Sequence, residues 1–250
     1  MKSETDGPGQ SASGPPGAPV PPRRRPVQQR SQERYERLLD ACAALLDEVG
    51  AGALTTKETA LRAGVPIGTL YQFFSGKESL LSALASRNLD LYLDRLGGRL
   101  GAQAHAAPLG VPEFVHLAVG EFVAMKRSVP GFGQLDFGLV EVLGAEPPTG
   151  GTDGAPGADP GGVDEGSVDD RHLLDTELDN NAAVAQRLQS LGGGLFSGPG
   201  HPLALRVALE CADAVLKLAF RTDPHGDPAL IAECERLLRC YLSDHRTATA

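Results

Sequence analysis

The stretch 54–81 constrains this chain more than any other. Thr55 and Thr56 stand where a hydroxyl accepts from the free N–H groups that open a helix, and the segment Lys57 to Ala63 behind them is stopped by Gly64. Glycine takes a left-handed turn without steric cost. Pro66 suits the first turn of a further helix running to about Phe73, and Ser75-Gly76 breaks the pattern again. Lys77 to about Leu96 then reads as a helix with Leu80, Leu81, Leu84, Asn88 and Leu91 on one side, its end loosened by Gly97, Gly98 and Gly101. Upstream, Tyr35, Leu38, Leu39, Cys42, Leu45, Leu46 and Val49 repeat at helical spacing from Ser31 until Gly50 and Gly52. Two short helices joined by the turn Ala63-Gly64-Val65-Pro66, behind a longer amphipathic helix, describe a helix-turn-helix unit.

In such a unit the second short helix enters the major groove, its N-terminal residues nearest the base edges. Those residues are Pro66, Ile67, Gly68 and Thr69. Gly68 lets the backbone come close, Ile67 can meet a thymine methyl, and the Thr69 hydroxyl can donate or accept. Tyr71 and Gln72, one turn on, reach bases or phosphate, while Leu70 and Phe74 belong to the core. The run from Ala63 to Leu80 (AGVPIGTLYQFFSGKESL) resembles the signature of TetR-family transcriptional regulators, and the motif resemblance covers about residues 31–85. It implies phosphate contacts from Thr56 at the start of the first short helix and from Lys77. Thr59 departs from the usual Ile or Val, and Phe73 stands at a DNA-contact position where His or Tyr is common. The Arg23, Arg24, Arg25 cluster offers an arm for an adjacent minor groove, and Arg30 and Arg34 can approach the backbone.

The rest of the chain is also helical in pattern. Pro112 opens a helix with Phe114, Val115, Leu117, Ala118, Phe122 and Met125, which Pro130-Gly131 breaks; Gln134 to Leu143 suggests another short one. Residues 144–162 hold seven Gly and four Pro, which marks 144–165 as a flexible insertion. Asp169 to Leu191 resumes a helix, Pro202 opens one through Phe220, and the last carries Leu230 to Leu242. The resemblance implies that the final two helices form a four-helix bundle across a homodimer, with Leu205, Leu209, Ala212, Leu216, Cys234, Leu238 and Tyr241 as candidates. It also implies a small-molecule pocket in the C-terminal half. Phe114, Phe122, Met125, Phe132 and Phe137 are its candidate walls, and His116, Glu121, Gln134 and His172 its candidate anchors.

Charge and composition sharpen this reading. The net charge of −9 argues against a DNA partner until it is divided along the chain. Residues 23–77 carry nine basic and six acidic side chains, whereas residues 78–250 carry 13 and 24. The acidity therefore belongs to the half that faces away from DNA. Nothing approaches the ~20 apolar residues of a membrane helix, and Met1 to Pro22 lacks the apolar core of a secretory signal. The four cysteines form no metal or disulfide pattern, in keeping with the cytoplasm. The sequence thus predicts an all-α protein: a tail over 1–25, a helix-turn-helix DNA-binding domain over 26–77, and a helical ligand-binding and dimerisation domain over 78–250. It predicts operator DNA, a second copy and a small-molecule effector as partners, with no membrane, cofactor, metal or catalytic residue. No nucleophile elbow, phosphate loop or HExxH occurs. The competing readings are an enzyme and a ligand-independent dimeric DNA-binding regulator.

Overall fold

The computed structural model describes residues 27–137 and 181–247. Eight helical segments account for most of them, with no strand among the described residues. They are α1 (Val27–Ala53), α2 (Thr56–Arg62), α3 (Ile67–Phe73), α4 (Lys77–Ala106), α5 (Val111–Ser128), α6 (181–192), α7 (His201–Thr222) and α8 (Pro228–Thr247), with a short 3-10 turn at Gly193–Phe196. The arginine cluster, the 144–165 insertion, His172 and the start of the Asp169–Leu191 helix lie outside the described residues.

Two apolar cores follow from the stripes. In the first, Leu38, Leu39, Cys42 and Leu46 of α1 pack on Ala60 of α2, Leu70 of α3 and Leu80, Leu81, Leu84 and Ala85 of α4. In the second, Leu89, Leu93, Leu96 and Leu100 continue along α4 and meet Val115 and Val119 of α5, Val184 and Leu188 of α6, Leu205 and Leu216 of α7, and Leu238 and Leu242 of α8. A single helix of 30 residues, about 45 Å at 1.5 Å per residue, therefore belongs to both cores. Arg87 ties α4 back to α1, 2.7 Å from Asp40 and 3.5 Å from Glu36.

Three boundaries differ from the sequence expectation. Helix α4 does not end near Leu96; it runs through Gly97, Gly98 and Gly101 to Ala106, because Leu96 and Leu100 anchor that stretch in the second core. Helix α1 begins before Ser31, at Val27, and holds a non-helical Gly50. The short helix expected from Gln134 is not present over 134–137, where the chain makes a turn and then bends, and residues 138–143 lie outside the described residues.

Candidate nucleic-acid interface and effector cavity

The sharp turn between α2 and α3 is built as its residues require. Thr55 caps α2, its hydroxyl oxygen accepting from the Glu58 N–H at 3.2 Å, a contact typically worth about 1 kcal/mol. The buried Thr59, in place of an aliphatic residue, donates its hydroxyl to the Thr55 carbonyl at 2.9 Å, so its polar atom is satisfied inside the core. Gly64 takes φ +64°, a value that disfavours a side chain. The Val65 N–H then returns to the Ala60 carbonyl at 3.0 Å.

This turn places the expected contact residues on one face. Pro66, Ile67, Gly68, Tyr71 and Gln72 are exposed, and Thr69 and Thr56 are half-buried beside them. The Thr56 and Tyr71 hydroxyls lie 3.3 Å apart and join α2 to α3. Nothing approaches within 4 Å of the space a side chain would occupy at Gly68, which leaves the α3 backbone open to a groove. Lys77 donates to the Gly52 carbonyl at 3.3 Å, which sets its ammonium at the end of α1. Phe73 differs from the other expected contacts: its ring turns inward, 5.8 Å from the Tyr35 ring and 6.2 Å from that of Phe74. Leu70 and Phe74 are buried.

The second core forms a partly open cavity of about 120 Å³ among α4, α5, α6, α7 and α8. Of the expected walls, Phe114, Phe122 and Phe137 line it; Phe132 and Met125 are fully buried behind them and outside the lining. The expected anchors face elsewhere. His116 meets Glu235 at 3.1 Å on the surface, Glu121 accepts from Arg99 at 3.0 Å, and Gln134 is exposed. The cavity's polar atoms come instead from Asp136, Asn181, Asp213 and Lys217. Asp213 sits 3.0 Å from Lys217, one turn along α7. Burial, its largest perturbation, raises the Asp213 carboxyl above its ordinary value; Lys217 opposes this, and Asp136 and Glu210 reinforce it. These polar groups escaped the sequence reading because an Asp and a Lys one turn apart look like an ordinary surface pair.

Residues 130–137 connect the cavity to the first core, a strap whose one local mark in the sequence is the Pro130-Gly131 break. Gly131 adopts φ +75° and donates its N–H to Asp47 of α1 at 2.8 Å. Leu135 is buried in the first core, its carbonyl accepting from the Asn88 amide at 2.9 Å. Next to it, Asp136 and Phe137 line the cavity. Asp136 pairs with Lys126 at 3.3 Å, and the buried Lys126 ammonium lies 5.7–5.9 Å from the rings of Phe122, Phe132 and Phe220. One short segment thus touches the cavity, the second core and the helix that supports the helix-turn-helix unit.

The expected dimer face needs correction. Leu205, Leu216, Cys234 and Leu238 are buried within one subunit, and Leu205, Leu209, Ala212, Leu216 and Leu238 line its own cavity. Side chains that face their own core have little surface left for a partner, and Tyr241 is half-buried. The large apolar residues that α7 and α8 do expose are Leu203, Val207, Leu218 and Leu237, each 38–70% accessible. The three on α7 fall on one helical face. Helix α7 carries apolar residues on more than one face, so its stripe pattern marks two faces without assigning them.

Among the described residues no helix is long and apolar enough to cross a membrane, and no group of acidic, His or Cys side chains is placed to hold a metal ion. Residues 38–84 match the family of bacterial regulatory proteins designated tetR, and residues 163–246 match the tetracycline repressor-like C-terminal domain. A TetR-family transcriptional regulator from Streptomyces coelicolor, known from its crystal structure, is 35% identical, with a TM-score of 0.64 over 84% of this chain and 98% of that one. The regulator YvdT of Bacillus subtilis (strain 168), itself described as an uncharacterized HTH-type transcriptional regulator, is 34% identical over 67 residues. The HTH-type transcriptional repressor KstR of Rhodococcus jostii (strain RHA1) is 39% identical over 59 residues. These two matches cover 27% and 24% of this chain, and only 34% and 28% of the relatives' own lengths.

Proposed function

The chain belongs to the TetR family and is a helix-turn-helix DNA-binding transcriptional regulator rather than an enzyme, and from that premise we propose that it is a homodimeric repressor released from a palindromic operator by a small molecule in the cavity. The observation that carries this reading is the strap: Asp136 and Phe137 line the cavity while Gly131 and Leu135 of the same segment engage α1 and the first core.

The dimer joins through the exposed face of α7 and α8, centred on Leu203, Val207, Leu218 and Leu237. Two copies of α3 then read half-sites about 34 Å apart, and the two-fold axis requires a roughly palindromic site. Thr69, Tyr71, Gln72 and Ile67 read or approach base edges, while Thr56 and Lys77 hold phosphates and set the register. An occupant of the cavity presses on Asp136 and Phe137, and through Leu135 and Gly131 it shifts α1 and the spacing of the recognition helices. Release requires that the ligand bind one strap position more tightly than the other; a hundredfold preference supplies about 2.7 kcal/mol.

Footprinting on DNA flanking the gene tests the proposal. A protected palindrome is expected, with binding lost in Thr69→Ala and Tyr71→Ala. No protected palindrome, or full binding by both variants, refutes the operator reading. Binding that no cell extract or small-molecule panel relieves refutes the release step and favours a ligand-independent regulator.

A further inference from the structure

Helix α3 carries no charged side chain, and that limits which bases it can read. In the major groove guanine is read by Arg or Lys donating to O6 and N7, and cytosine by Glu or Asp accepting from N4. Adenine is read by Asn or Gln pairing with N6 and N7, and thymine by an apolar group against its methyl. Ile67–Phe73 holds a Gln and an exposed Ile, and no Arg, Lys, Asp or Glu.

The packing of α3 selects the side chains that face a groove. The buried Leu70 and the inward ring of Phe73 set the core side. Gly68 and Gln72, one turn apart, lie on the opposite side, and both are exposed. Nothing stands within 4 Å of the space a side chain would fill at Gly68, so α3 can come close enough for Gln72, and for Ile67 at its first turn, to reach base edges. Tyr71 is drawn aside: its hydroxyl lies 3.3 Å from that of Thr56 on α2, the helix that crosses the DNA backbone. Thr69 is half-buried, and a hydroxyl suits any base. The cations flanking α3 in the chain are turned toward the end of α1: Arg62 donates to Glu48 at 2.6 Å and Lys77 to the Gly52 carbonyl at 3.3 Å.

We propose that α3 specifies A·T pairs: Gln72 reads an adenine through N6 and N7, Ile67 packs on a thymine methyl, and no side chain of α3 selects a G·C pair. The proposal rests on the reading of α3 as the recognition helix of an operator-binding regulator, and it adds the class of base that this helix selects.

The test uses the full chain and starts by selecting bound sequences from random duplex DNA. In the enriched palindrome, each adenine is replaced singly by 7-deazaadenine, which pairs normally but lacks N7, and each thymine by uracil, which lacks only the methyl. One 7-deazaadenine per half-site is expected to weaken binding about fivefold, the loss of one hydrogen bond. One uracil is expected to weaken it about fourfold, the loss of one buried methyl. The first penalty should vanish in Gln72→Ala and the second in Ile67→Ser, and Gln72→Arg should move the preference at the adenine's pair to G·C. Both side chains are exposed, so these variants should keep the Tm of the unaltered protein. A palindrome whose α3-dependent pairs are G·C, or penalties that persist in the variants, overturns the proposal and leaves the operator reading standing. Uniform weakening by Gln72→Ala on every sequence, the mark of a phosphate contact, overturns it in the same way. Failure to enrich any palindrome overturns both.

Discussion

Replacing Gly131 with Ala tests whether the strap is seated on α1. At φ +75° an L-residue costs roughly 1–2 kcal/mol. The added Cβ would also lie 2.8 Å from the Cα of Ala43 and 3.1 Å from both its Cβ and its carbonyl oxygen. Ala43 is buried in the body of α1 and has no flexible end that could swing aside, so the strap must lift, a misfit that typically costs about 1–3 kcal/mol. Lifting stretches the 2.8 Å bond from the Gly131 N–H to Asp47 and loosens Leu135 in the first core. Together these give a destabilisation of about 2–5 kcal/mol, a large share of the stability of an ordinary domain. The chain has no Trp, so urea unfolding is best followed by far-UV circular dichroism. Gly133→Ala is the control, since nothing lies within 4 Å of its added Cβ and it does not hold a positive φ. That variant should be neutral within about 0.5 kcal/mol or slightly stabilising. If Gly131→Ala loses less than about 0.5 kcal/mol, or no more than Gly133→Ala, the strap does not bear on α1 and the coupling argument fails.

Other expectations follow from single contacts. Asn88→Ala leaves the buried Leu135 carbonyl without its donor and should cost about 1–3 kcal/mol in the same urea assay; no loss would mean that water or another group replaces it. Thr55→Ala removes the α2 cap and should cost about 1 kcal/mol while weakening operator binding, checked by unfolding and gel shift together. Leu203→Asp combined with Leu237→Asp should shift sedimentation from dimer to monomer, whereas an unchanged dimer would place the interface elsewhere. Tyr71→Phe removes the hydroxyl facing Thr56 and should weaken operator binding several-fold with Tm unchanged.

The N-terminal architecture was legible because its punctuation is local. Gly64 needs a left-handed turn, Thr55 a cap position, and the α1 stripe one buried face, and each constraint acts within a few residues. The cavity's aromatic walls could be guessed from Phe114, Phe122 and Phe137, which recur on or near α5. What could not be read depends on registry between distant segments. The two apolar faces of α7 are equivalent in a single sequence, so the pattern alone does not tell that Leu205 and Leu216 face their own cavity and not a partner. Met125 reads as a wall and is fully buried outside the lining. Phe73 looked like a substituted DNA contact, and its ring completes an aromatic cluster with Tyr35 and Phe74. The strap was invisible because its partners, Asp47 and Asn88, lie 84 and 47 positions away.

Leu135 closes the core beneath the helix-turn-helix unit although it lies far from that unit in the chain, beyond the whole of α5. That contact bears on the order in which the protein comes into being. During synthesis α1 to α4 emerge first, but their core stays open on one side until residue 135 has been made and folded back. A fragment ending after α4 would lack Leu135 in that core and the Leu135 carbonyl that Asn88 binds, and would be expected to unfold or aggregate rather than occupy DNA. Premature termination therefore should not produce a free DNA-binding domain that competes for the operator while lacking the cavity that senses the ligand.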